Sequence, residues 1–195
     1  IRKWNQLLST DDIIAIKNQI QSMEERGWWS TNPDSVDGLP SFHLNLVSDG
    51  KPLFPIEKDD EEGREDDENA DFERGIQKLL DLVHRIIYED LLPKLQQEWL
   101  ASSNNSTSLQ VSDIFVRRYG RDLDDSGIQA RRGISAHYDV YSKVTAVVAL
   151  DNIAAEGTNG LYTTYQKDSD SISTNHAALR RVIPLKEGDA VVHTW

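Results

Sequence analysis

At 195 residues with 38% hydrophobic side chains, the chain is long enough to bury one ordinary core, and a single domain over 1–195 is the expectation. The absence of cysteine excludes disulfides, zinc–thiolate sites and thiol nucleophiles within the sequence. The formal net charge of -12 argues against a nucleic acid partner, which needs clustered Lys and Arg, and no stretch approaches the roughly eighteen apolar residues that span a bilayer.

In chain order, Ser9-Thr-Asp-Asp12 supplies N-capping side chains and first-turn acids, after which Ile13, Ile16, Ile20 and Met23 recur at helical spacing until Gly27. Trp28-Trp29 and the Pro33 to Pro40 turn region lead to Ser41–Val47, where Phe42, Leu44 and Leu46 alternate with His43 and Asn45 as in a half-buried strand, with His43 on the polar side. From Glu57 to Asp71 ten acidic residues face only Lys58 and Arg64. Such a run repels itself and lacks apolar anchors, so a solvated acidic loop over 57–71 is expected. Phe72, Ile76, Leu79, Leu80, Val83, Ile86 and Ile87 then form an apolar helical stripe continued by Leu91 and Leu92 up to Pro93, with His84 as a surface histidine. The sequons Asn104-Asn105-Ser106 and Asn105-Ser106-Thr107 would accept an N-glycan in a secreted chain. Residues 1–108 therefore read as mainly helical support.

Residues 109–195 read differently. Val111–Tyr119 is a strand ending in Arg-Tyr, and Lys143–Asp151 is a near-continuous β-branched run. Between them, His137-Tyr138-Asp139 places an imidazole and a carboxylate two positions apart, hence on one face of an extended segment, with Tyr138 pointing away. One neutral nitrogen and one anionic oxygen aimed at one point are two of the three ligands of the facial triad that holds Fe(II) in oxygenases. A surface His and Asp sharing a hydrogen bond satisfy the same three-residue pattern, so its setting decides. Downstream stand Asn159-Gly-Leu-Tyr-Thr-Thr164 and Val182-Ile-Pro-Leu-Lys-Glu-Gly-Asp-Ala-Val-Val-His193.

This order of Arg-Tyr strand, H-x-D, Thr-Val strand ending Leu-Asp, Gly-Leu-Tyr turn and Pro-Leu-x-x-Gly-Asp-Ala resembles the 2-oxoglutarate and Fe(II)-dependent oxygenases, and within them the prolyl 4-hydroxylase-like group. The resemblance covers about residues 109 to 195. It implies an α+β fold in which N-terminal helices support a double-stranded β-helix, jelly-roll-like and possessing its open mouth at the metal. It also implies hydroxylation of a peptidyl residue, proline first, with Fe(II), with 2-oxoglutarate as co-substrate and with ascorbate as reductant. His137 and Asp139 would then be catalytic metal ligands, Tyr119 a hydroxyl that hydrogen-bonds the co-substrate, and Thr145 a second co-substrate contact. The cluster Arg117, Arg118, Arg121, Arg131 and Arg132 is placed to serve an anionic co-substrate.

The pattern departs from the family at its end. There the second His ligand follows the Gly-Asp-Ala-Val-Val strand by several residues, with a basic residue after it, and neither is reached before Trp195. The third ligand is expected beyond Trp195, with His193 as the alternative, and His176 reads as a loop histidine. Ile1 in first position and the stop at Trp195 lead us to expect a segment of a longer polypeptide, so the jelly roll is expected to lack its last strands and localisation stays open. Two other readings stand beside the hydroxylase: a non-catalytic β-helix binding module, and a small-molecule oxygenase or cupin-type isomerase using the same His and carboxylate.

Overall fold

The computed structural model describes residues 1–30, 33, 34, 36, 38, 41–53, 67–102, 108–118, 142–151, 161–164 and 180–194. In chain order the elements are β1 (Arg2–Trp4), α1 (Thr10–Glu25), β2 (Phe42–Ser48), β3 (Lys51–Pro52), α2 (Asp67–His84), a π-helix (Arg85–Leu91), α3 (Leu92–Ser102), β4 (Ile114–Arg118), β5 (Val144–Val148), β6 (Leu161–Thr164), β7 (Arg180–Ile183) and β8 (Ala190–Thr194). The chain divides into two compact units, Ile1–Ile13 with Ala136–Trp195, and Ile14–Ser135. This division differs from the boundary expected at 108/109. β4 pairs with β2 and so falls in the unit that holds α2 and α3.

In the unit of residues 1–13 and 136–195, β8 lies between β1 and β5 in an antiparallel sheet, and β6 pairs with β7 in a second ladder. Ala149, Leu185 and Val191 are buried, and Leu161 of β6 and Ile183 of β7 pack against them, so one apolar core joins both ladders. Among the described residues the strands close no barrel.

The unit of residues 14–135 carries most of α1, whose ends follow its sequence signals. Asp12 N donates to Ser9 Oγ over 3.1 Å while Ser9 N donates to Asp12 Oδ2 over 3.2 Å, a reciprocal cap on the first turn. At the other end Gly27, at φ 72°, donates to Glu24 O and Trp28 N donates to Met23 O. That pair of bonds is a Schellman stop, and it needs glycine at the left-handed position. β2 pairs with β3 on one side and β4 on the other, and Leu44 and Leu46 are buried as the alternation requires. The β2–β3 turn is Asp49-Gly50, both at positive φ, the conformation that matches the twist of a two-residue hairpin.

The acidic segment is not loop throughout, as α2 starts at Asp67. Asp71 bonds Arg26 at 2.8 Å and Arg74 at 2.7 Å. The Arg26 bond foremost, with the neighbouring positive charges, holds the Asp71 carboxyl below its ordinary value against a smaller opposing effect of desolvation. Gly75 is where α2 passes the Trp28 ring, since a Cβ there would sit 2.8 Å from Trp28 Cζ3. The apolar stripe continues beyond α2 as a π-helix, and Leu92 N donates to Ile87 O, five residues back. Pro93 follows at once; its ring would crowd the carbonyl four residues before it in a regular helix, and the wider turn relieves this.

Candidate functional site

Of the residues that the sequence singles out, the described part of the structure brings two together. Thr145 on β5 stands directly opposite His193 on β8, and Val147 stands opposite Val191 one pair further along the face. Side chains two apart share a face of a strand, so Thr145 and His193 lie on the face of buried Val191, the one against which Leu161 and Ile183 pack. Both are half-buried and both take part in interactions. His137, Asp139, Tyr119 and His176 lie outside the described residues, as do Arg121, Arg131, Arg132 and both sequons. Among the described residues no group of three or more His, Asp or Glu side chains is arranged to hold a metal ion.

The Pro-Leu-x-x-Gly-Asp-Ala motif has a structural account residue by residue. Leu185 is fully buried in the core. Gly188 has φ 86°, and a Cβ there would stand 2.9 Å from the Leu8 carbonyl oxygen. Asp189, 2% exposed, accepts hydrogen bonds from Gln6 N and Lys186 N and an ion pair from Lys3 at 2.7 Å. Gly188 N donates to Ala149 O and Ala149 N to Asp189 O, which joins this turn to the end of β5. The motif thus sets the start of β8 against β5 and thereby the position of the Thr145–His193 pair.

Two arginines of the basic cluster are committed elsewhere than to a co-substrate. Arg117 bonds buried Asp34 at 2.8 Å, and Arg118 bonds Glu24 while its guanidinium lies 5.2 Å from the Phe42 ring centre. Isolated guanidinium groups in a half-buried sheet need such partners, and these come from distant parts of the sequence that no local spacing reveals. His43 faces the polar side of β2 as expected, directly opposite Arg117. Its Nδ1 lies 3.2 Å from the Ser41 carbonyl. His84 is exposed, with its ring stacked on Tyr88 at 4.7 Å. Arg117, His43, Asn45, Phe115, Asp34 and Asp113 line an open cleft of about 330 Å³ on this face, which the sequence alone did not disclose.

No family model, curated protein or solved structure matches the chain. No helix among the described residues is long and apolar enough to cross a membrane.

Proposed function

We propose that the chain is an Fe(II)- and 2-oxoglutarate-dependent dioxygenase hydroxylating a peptidyl residue, proline first, with His137 and Asp139 as two of the metal's ligands. The observation that carries this reading is the nesting of the strands that follow H-x-D. β6 pairs with β7 inside a span whose ends, β5 and β8, pair with each other, and both ladders share one apolar core. A jelly roll is a long hairpin of paired strands wound into two facing sheets, and its inner pairs nest in this way. Greek-key arrangements of other kinds nest too; the motif order from Arg118-Tyr119 through His137 and Asp139 to Gly188-Asp189-Ala190 is what supports the oxygenase among them.

The donor set fits the ion. An imidazole and a carboxylate two positions apart suit Fe(II) and leave coordination positions for other ligands. When bound, the iron supplies the oxidative decarboxylation of 2-oxoglutarate and the linked hydroxylation of an unactivated C–H bond. The chain's own residues bind and orient. His137 ligates as the neutral ring, which requires an acceptor for its other nitrogen to fix the tautomer. On this reading Tyr119 offers a hydroxyl to the co-substrate, and Thr145, which stands opposite His193 in the β5–β8 ladder, offers a second contact. Ascorbate would serve only to keep the iron reduced, and His193 stands as the alternative for the third protein ligand.

The test is to supply the protein with Fe(II), 2-oxoglutarate and proline-containing peptides. The expected result is a peptide mass gain of one oxygen atom matched by succinate. Succinate without peptide oxidation would favour a small-molecule substrate, and neither product would favour the binding module.

A further inference from the structure

An anionic co-substrate needs a positive partner, and Arg117 and Arg118 already have carboxylates of their own. The β6–β7 ladder supplies another arginine. Leu161 pairs with Ile183 and Thr163 with Arg181, so by alternation Thr163 and Arg181 share the face whose Leu161 and Ile183 pack on the core. Tyr162, Val182 and Arg180 take the opposite face. Val182 is 49% exposed there, and the Arg180 guanidinium lies 4.6 Å from the Tyr162 ring centre. Two adjacent arginines of one strand thus stand on opposite faces.

Residues 184–189 join β7 to β8, and these strands belong to the two ladders that share the core. Ile183 and Ala190 stand beside that turn, and both strands recede from it, β7 back towards Arg181 and β8 on towards His193. Beyond the Leu161–Ile183 and Val147–Val191 pairs the facing surfaces therefore change from apolar to polar. Thr163 and Arg181 stand on one, Thr145 and His193 on the other. Stacked ladders lie about 10 Å apart, which leaves room for an arginine and a small ligand between them. Thr145, Thr163 and His193 are half-buried, while Arg181 is exposed at the rim. Among the described residues no carboxylate pairs with Arg181. A guanidinium receives a carboxylate through two parallel N–H donors, and threonine hydroxyls add further donors.

We propose that the ends of these two ladders away from the 184–189 turn form a mouth for a small dicarboxylate, with Arg181 receiving one carboxylate. This rests on the reading that the chain uses 2-oxoglutarate, because that reading gives Thr145 to the co-substrate and Thr145 opens on this mouth. The experiment is a metal-free NMR titration of the chain with succinate at low ionic strength, reading the Arg181 Nε–H and His193 ring signals. Saturable shifts of both signals are expected, with affinity falling about tenfold or more in Arg181→Gln, the loss of one charge-assisted pair. Arg180→Gln removes the same charge from the other face of the strand and should leave the affinity nearly unchanged. An equal loss in the two variants would make the effect one of net charge and overturn the proposal. So would the absence of a shift, a shift of Arg181 without His193, or tighter binding of inorganic phosphate than of succinate. Because the titration contains no metal, its failure leaves the oxygenase reading to be judged by turnover.

Discussion

Lys3 Nζ lies 2.7 Å from Asp189 Oδ2 and 2.6 Å from the carbonyl oxygen of Pro184, so a buried carboxylate in the turn before β8 holds the three-residue strand β1 in its sheet. Burial alone would raise the Asp189 pKa, but the Lys3 bond, the Lys186 and Gln6 amides and the Lys3 charge together bring it below the ordinary 3.8. A lowered folded-state pKa gives stability that is present above the unfolded carboxylate range and is lost as pH falls through the folded value. Asp189→Ala should cost about 3 kcal/mol at neutral pH, the usual scale for breaking a buried charged pair, and the gap to the parent should narrow below about pH 4. Urea unfolding at pH 7 and pH 3 measures both; an equal gap at the two pH values would remove the linkage.

Gly188 and Gly27 both adopt positive φ, at 86° and 72°, yet only Gly188 is also crowded, by Leu8 O at 2.9 Å and Ile13 Cδ1 at 3.2 Å. Gly27→Ala should therefore cost about 1 kcal/mol from backbone strain alone. Gly188→Ala should cost more, about 2–3 kcal/mol, because a backbone oxygen cannot move aside cheaply. Thermal unfolding of the two variants checks the order; equal losses would mean that the Leu8 approach is not tight in solution.

The acidic run tests composition against pairing. Removing residues 59–66, which have no apolar side chain to bury, should leave the melting temperature nearly unchanged. Asp71→Ala should lower it slightly and in a salt-sensitive way, since Arg26 and Arg74 share that carboxylate. A large loss from the deletion would mean that its carboxylates are paired.

What was legible and what was not separates by range. α1 could be read from Ser9 to Gly27 because its cap, its apolar spacing and its stop all lie within one segment, and β2 because Leu44 and Leu46 alternate with polar neighbours. The Asp49-Gly50 hairpin was legible too, from a two-residue turn signal that the reading passed over. The partner of β4 was not, because a ladder from Phe42 to Arg118 leaves no mark in local periodicity. The same holds for Asp34 with Arg117, so the basic cluster looked available to an anion when two of its members already had carboxylate partners. The Thr145–His193 pair followed only in outline, since both segments read as strands while their register depends on the turn at Gly188 and Asp189.

His193 offers a separate check on the ligand assignment. Two ligands from one segment bind an ion weakly, and even disturbing a supporting contact typically costs about 10 to 100-fold in metal affinity. The chain should therefore bind Mn(II), a redox-inert stand-in, weakly. His193→Ala should leave this weak binding unchanged. Tight binding that His193→Ala abolishes would make His193 the third ligand.

The central claim is that His137 and Asp139 hold the iron of a 2-oxoglutarate oxygenase, and the most direct test is 2-oxoglutarate decarboxylation by Asp139→Ala beside the parent protein. Removing a first ligand should abolish iron retention and succinate formation together, while the variant's unfolding midpoint stays close to the parent's. An Asp139→Ala protein that releases succinate at the parental rate would contradict the assignment of this carboxylate to the metal.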